Sequence, residues 1–334
     1  MFGPRFLFKF KILRRSAGSL LLFLFLFSGA SVALGENAAS IMKGVNGCAL
    51  VMDLETGEIL EGYNVSRALS FEYPASSVLK PIVAFGALRY GMMAAREEIQ
   101  GPREEYLKTY GNELLSYMRM DRGALDLNRA MALSDNVYFY ALGARMGKDV
   151  VRTLYQSFNV GKPTGLDPKV EKSGFLPEEL SGAEELHFLG WGGKSTRLTA
   201  AQIMVIMGSF GNGGEQLRPF FPNSGKSKKV VAQIKAPDEF ELIRHALRGV
   251  VLEGTGKSAN IEGCEVYGKT GSLNIPGSNL PMGVFAGFTQ GLERDVAFVV
   301  VVEGSYSSRA VGLAGSILEQ FPKASPKMEA SEGA

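Results

Sequence analysis

Segments patterned as β-strands stand at the two ends of this chain, and a long, mostly helical stretch separates them. Residues 48–53 and 58–62 flank the turn Leu54-Glu55-Thr56-Gly57, whose glycine suits a positive φ, so they read as a hairpin. Segments 266–273, 283–289 and 296–303 follow near the C-terminus, and 298–302 is continuously apolar, the pattern of a strand covered on both faces. Helical spacing marks 77–90, 104–118, 127–147, 199–210, 239–252 and a last helix at 310–321. The expected fold is therefore mixed α/β, of the α+β type. A sheet is drawn from 45–65 and 262–321, flanked by helices, with an all-helical lobe inserted over roughly 78–255. Residues 213–238, rich in Gly, Pro and Lys, read as a long irregular connection.

The first 35 residues are expected to stand outside that domain, which runs from 36 to 322. Arg5, Lys9, Lys11, Arg14 and Arg15 precede the apolar run 20–27, and small residues follow, the layout of a signal peptide or an uncleaved signal anchor. Either places the body outside the cytoplasm, as a periplasmic or other extracytoplasmic protein. The net charge of +2 includes those five basic residues, so the remainder carries −3 and offers no basic field for nucleic acid. Residues 323–334, polar and small, read as a frayed tail. Cys48 and Cys264 lie at the starts of predicted strands and read as small buried hydrophobes unless those strands are neighbours. With only His187 and His245 and no clustered ligands, neither a metal nor a cofactor is expected.

Three short runs carry the chemistry: Ser77-Val78-Leu79-Lys80, Ser134-Asp135-Asn136 and Lys269-Thr270-Gly271. Single matches mean little here. Ser40-Ile41-Met42-Lys43 repeats the first pattern, and Ser157-Phe158-Asn159, Ser258-Ala259-Asn260 and Ser272-Leu273-Asn274 repeat the second. Order and context decide. Pro74 makes the stretch before Ser77 extended, and Pro81 is tolerable only in a first helical turn, so Ser77 sits at a helix N-terminus. Free N–H groups there favour developing negative charge, and Lys80 lies one turn on, on the same face. A lysine with a pKa of about 10.4 accepts a proton only when desolvated or placed beside another cation, which Lys269 could supply. Ser134 and Asn136 break a helical stretch and could aim a hydroxyl and an amide at one cleft, although helix capping explains them as well. Lys269 and Thr270 on a strand suit a terminal carboxylate, and Gly271 lets a backbone approach closely. The N–H groups of Ser77 and Ser272 could form an oxyanion hole.

Across nearly all of residues 45–321 the chain resembles the transpeptidase domain of penicillin-binding proteins. The resemblance rests on Tyr73-Pro74-Ala75-Ser76-Ser77-Val78-Leu79-Lys80-Pro81 and on Asp126-Leu127-Asn128-Arg129-Ala130 before Ser134. Gly165-Leu166-Asp167, Leu198-Thr199-Ala200-Ala201-Gln202, Asn212-Gly213-Gly214, Arg218-Pro219 and Gly254-Thr255-Gly256 add to it. It implies a five-stranded antiparallel sheet and action on peptidoglycan stem peptides, with β-lactams as inhibitors. It further implies that Ser77 is acylated, Lys80 is its base and Ser134 shuttles protons. Asn136 would bind the acyl-side amide, while Lys269 and Thr270 hold the carboxylate. The chain departs at Ser76, where glycine is usual, and at Ser272, where threonine is common. It also lacks a glycosyltransferase or dimerisation module, which implies a membrane or cell-wall partner, or a narrower role.

The leading reading is a DD-transpeptidase or DD-carboxypeptidase working through an acyl-Ser77 intermediate. A serine β-lactamase needs a deacylating base, yet Glu178-Glu179-Leu180 lacks the following asparagine and Tyr110-Gly111-Asn112 precedes Ser134. A cell-wall regulatory or binding protein with little turnover would need none of the three runs. His187, before Phe188-Leu189-Gly190-Trp191, is expected to be a satisfied or surface histidine rather than a triad member.

Overall fold

The computed structural model describes residues 34–100, 123–275 and 277–324. The leader expected at 1–33, the helix expected at 104–118 and the tail from 325 lie outside the described residues. Strands β1 (Gly47–Asp53) and β2 (Ile59–Tyr63) form the N-terminal hairpin. β3 (Tyr73–Pro74) pairs with β4 (Arg197–Leu198), and β5 (Glu215–Leu217) with β6 (Val230–Gln233). The last pair lies inside 213–238, so that segment is not the irregular connection its Gly and Pro content suggested. β7 (Glu265–Asn274), β8 (Pro281–Gln290) and β9 (Val296–Glu303) complete an antiparallel five-stranded sheet of order β2-β1-β9-β8-β7. β7 is an outer strand, and its free edge faces the helical lobe.

Alternation explains why β9 is apolar throughout. Val296, Phe298, Val300 and Val302 join one core cluster, while Ala297, Val299 and Val301 join the other. A strand buried on both faces cannot show a polar period. Cys48 on β1 and Cys264 beside β7 are buried free thiols with two strands between them, as their small apolar character allows. Burial pushes the Cys48 thiol up to about 12 and Cys264 up to about 11.

The described helices are α1 (Asn37–Ile41), α2 (Val65–Ser70), α3 (Lys80–Arg89), α4 (Leu127–Leu133), α5 (Asn136–Met146) and α6 (Lys148–Ser157). They continue with α7 (Ala183–Trp191), α8 (Ala200–Gly211), α9 (Pro237–Leu252) and α10 (Ser307–Glu319). α8 crosses one sheet face, buried over almost its whole length. Its N-terminus is a capping box: Thr199 Oγ1 accepts from Gln202 N at 3.2 Å, and Gln202 Oε1 accepts from Thr199 N at 2.7 Å. α10 covers the opposite face. Phe85, Phe158, Phe210 and Phe240 pack ring to ring where α3, α8 and α9 meet, Phe158 and Phe210 stacked at 5.3 Å. Lys323 and Ala324 still pair with Leu292 and Gly291, so the ordered chain runs past the point where composition ended it. Gly35, assigned to the leader, donates its N–H to Leu60 O. Among the described residues no helix is long and apolar enough to cross a membrane.

Candidate active site

Three elements meet at the β7 edge. A single 3-10 turn, Ser76–Leu79, leads into α3, with Pro81 in the first turn of that helix. The turn exposes part of Ser77 to a cavity and carries Lys80 inward, where it is fully buried. The helix expected over 127–147 is two helices. Ser134 ends α4 in the left-handed region, φ +54°, and Asp135 restarts the chain as the N-cap of α5 by accepting from Tyr138 N at 2.9 Å. That break turns both the carbonyl and the hydroxyl of Ser134 toward Lys80.

Lys80 Nζ donates to Ser134 O at 2.7 Å and to Asn136 Oδ1 at 2.7 Å, and lies 3.2 Å from Ser134 Oγ. A neutral amine has two N–H bonds, enough for both carbonyls, and keeps one lone pair. The rings of Phe139 and Trp191 close over the group, with centroids 5.3 and 5.5 Å from Nζ. From β7, Lys269 Nζ donates to Ser134 Oγ at 2.9 Å and to Thr270 O at 3.0 Å. One serine hydroxyl thus touches two buried amino groups that come from opposite sides of the cleft. Burial pulls the Lys269 pKa down to about 7.

Ser77, Ser134, Asn136, Thr270, Gly271 and Ser272 border one cavity of about 250 Å³. Lys80 and Lys269 lie buried behind it, so all eight residues singled out in the sequence converge. Two details concern the turn that carries Ser77. The space beside Gly271 is filled by Ser76, whose Oγ lies 2.1 Å from where a Cβ would stand, so this glycine admits the protein's own turn. Ser76 takes φ +53°, a conformation that costs a serine about 1–2 kcal/mol and that glycine adopts freely.

A family model of the penicillin-binding protein transpeptidase domain matches residues 47–323. The chain belongs to this family. It is 23% identical over 292 residues to the peptidoglycan D,D-transpeptidase MrdA of Acinetobacter baumannii, covering 77% of this chain and 43% of that protein. It is 26% identical over 303 residues to the peptidoglycan D,D-transpeptidase FtsI of Escherichia coli K12, covering 83% of this chain and 50% of that one. The chain thus spans half or less of the length of these curated relatives. In fold it is similar to the TP domain of Burkholderia pseudomallei penicillin-binding protein 3, with a TM-score of 0.70 at 18% identity, covering 85% of this chain and 90% of that one.

Within this transpeptidase domain several cavity residues escaped sequence reasoning. Thr255 Oγ1 lies 2.6 Å from Thr270 Oγ1. Its loop can dock because Gly254 lies against the end of α4, where a Cβ would stand 2.4 Å from Ala132 O. Ser307 also borders the cavity, its N–H donating to Ser272 Oγ at 3.3 Å. Lys194, His187 and Trp191 form the remaining wall. His187 was expected to be a satisfied or surface group. It has a carboxylate neighbour, Glu184, and it also faces the cavity. The signal was present as the spacing 184, 187, 191, one face of a short helix, but nothing local says which face meets the cleft.

Proposed function

We propose that the protein is an exported serine acyltransferase acting on D-Ala-D-Ala stem peptides of peptidoglycan, and that it binds penicillins covalently at Ser77. Ser77 attacks the penultimate D-Ala carbonyl, and Lys80 takes its proton. The N–H groups of Ser77 and Ser272 receive the oxyanion, where one such donor is worth about 2.7–4 kcal/mol in other enzymes. Asn136 orients the acyl-side amide, and Lys269 with Thr270 holds the terminal carboxylate. Ser134 passes a proton toward the departing D-Ala nitrogen.

The observation that carries this reading is the double contact at Ser134 Oγ, 3.2 Å from Lys80 Nζ and 2.9 Å from Lys269 Nζ, beside the cavity that Ser77 borders. The lysine that takes the proton and the hydroxyl that forwards it are in contact, and no histidine is needed for acylation. Among the described residues no carboxylate borders the cavity. That favours a long-lived penicillin adduct over the rapid release of a β-lactamase.

A tagged penicillin tests the reading. The label is expected on Ser77, with a long-lived adduct by intact mass, and Ser77→Ala is expected to lose it while keeping the wild-type circular dichroism spectrum. An unlabelled but folded wild type overturns the proposal in favour of a regulatory role, and an adduct lost within seconds favours the β-lactamase. Product analysis with a pentapeptide separates cross-linking from trimming.

A further inference from the structure

The acylation machinery leaves two titratable side chains of the cavity unused, His187 and Lys194. His187 borders the same space as Ser77 and Ser134, its side chain 14% exposed. Its ring is held on two sides. The indole of Trp191 lies against it, centroids 5.1 Å apart and planes 34° off parallel. On the other side Nδ1 lies 3.6 Å from Glu184 Oε1, an ion-pair distance too long for a hydrogen bond. Glu184 is itself fixed, because its Oε2 accepts from Ser195 Oγ at 3.0 Å and from Ser195 N at 3.3 Å. The contact with His187 and the Ser195 bonds hold the Glu184 carboxyl down to about 2, so it is ionised throughout the working range. Gly193, at φ +70°, leaves the room this packing needs: a Cβ there would stand 3.0 Å from Glu184 Oε2 and 3.1 Å from His187 Cβ.

An imidazole beside a fixed carboxylate keeps its proton on the nitrogen facing that carboxylate. In His187 the nitrogen nearer that carboxylate is Nδ1, so the favoured tautomer puts the lone pair on Nε2. The other ionisable groups around the cavity are Lys80 from the start of α3, Lys269 from β7 and Lys194 after α7.

We propose that His187 is the general base for the second half of the reaction, accepting the proton of the nucleophile that attacks the acyl-Ser77 ester. The acceptor is an amine of a second stem peptide, or water. As its nitrogen or oxygen bonds to the acyl carbon, the bond from that carbon to Ser77 Oγ breaks. The acceptor proton passes to His187 Nε2. Ser77 Oγ recovers a proton from the Lys80–Ser134–Lys269 chain, and solvent returns the imidazolium proton to that chain, so nothing is oxidised or reduced. The division of labour is chemical: lysines open the first bond, and the histidine serves only after D-Ala has left. In a β-lactam adduct the leaving nitrogen stays tethered to the acyl group, which keeps the acceptor out and the adduct long-lived.

This inference rests on Ser77 being the acylated residue, and the experiment separates the two. Two rates are measured on the purified protein: labelling by a tagged penicillin, and acyl transfer from an N-acyl-D-alanyl thioester to D-alanine. His187→Gln is expected to label within twofold of the wild type and to transfer about 100-fold more slowly, the lower range for a lost general base. Transfer is expected to depend on pH differently in the wild type and in His187→Gln, while labelling, which Lys80 and Lys269 govern, shows the same pH dependence in both. Glu184→Gln, which keeps the imidazole and the side-chain shape, is expected to slow transfer about tenfold with labelling unchanged, a modest share of what a general base contributes. If both variants transfer at the wild-type rate, or labelling and transfer fall together, His187 is not the base. Failure of the wild type to label sinks the Ser77 reading instead.

Discussion

At Gly271 a methyl group would stand 2.1 Å from Ser76 Oγ, 2.8 Å from Val284 Cγ1 and 3.2 Å from Ser76 Cβ. Ser76 immediately precedes the proposed nucleophile, so the conflict is passed straight to Ser77. Gly271→Ala is expected to slow penicillin labelling at least tenfold, and Ser76→Gly in the same chain to recover part of that loss, the contact with Val284 Cγ1 remaining. Contacting residues commonly couple by about 0.5–3 kcal/mol, and a double-mutant cycle on the labelling rate reads the coupling directly. Additive effects would show that the two residues do not sense each other. Ser76 illustrates why this pairing was hidden in the sequence. It reads as a harmless variant of glycine until its left-handed φ and its neighbour on a strand almost 200 residues away (~3.3 Å of reach per intervening residue) are seen together.

Among the elements, the α4–α5 break has most leverage on the site. Asp135 caps α5 through Tyr138 N, and Asn136, the first residue of that helix, holds Lys80. Asp135→Ala is expected to lose about 0.5–2 kcal/mol of stability, as removed N-caps do, and to slow labelling as well, because the first turn of α5 frays beneath the lysine. Urea denaturation and labelling on the same sample check both; lower stability with unchanged labelling would mean that the cap only holds the helix. The break itself was legible, since Ser, Asp and Asn in succession compete with helical hydrogen bonds. So were the five strands, through their turns and apolar runs. The α6 and α7 helices were not. α7 is short, bounded by Gly182 and by Gly192 with Gly193, and carries Gly190, so its helical period is weak. Its importance comes from tertiary placement, which brings His187 and Trp191 to the cavity, and local sequence does not encode that.

For the whole molecule, the sheet closes only when the two chain ends pair, β1 along β9, and that closure sets β7 against the helical lobe. Lys269 is buried in the seam, which makes folding and protonation one equilibrium. Its ordinary pKa of 10.5 falls to about 7 in the folded protein because burial disfavours the ammonium. Between those values the unfolded chain binds a proton that the folded protein does not, so this residue makes stability rise with pH from about 7 toward 10.5. Below about 7 both states carry the proton, and the buried ammonium costs the folded state its full penalty. Lys269→Met removes the titration and keeps most of the apolar stem. Wild type is therefore expected to gain stability relative to Lys269→Met between pH 6 and roughly pH 9, read by urea denaturation of both proteins at each pH. Other titrating groups are common to the two chains and cancel in that difference. Parallel pH dependences would show that the folded protein solvates the Lys269 ammonium as well as water does, and the shared contact at Ser134 would then join two permanent cations instead of a proton donor and an acceptor.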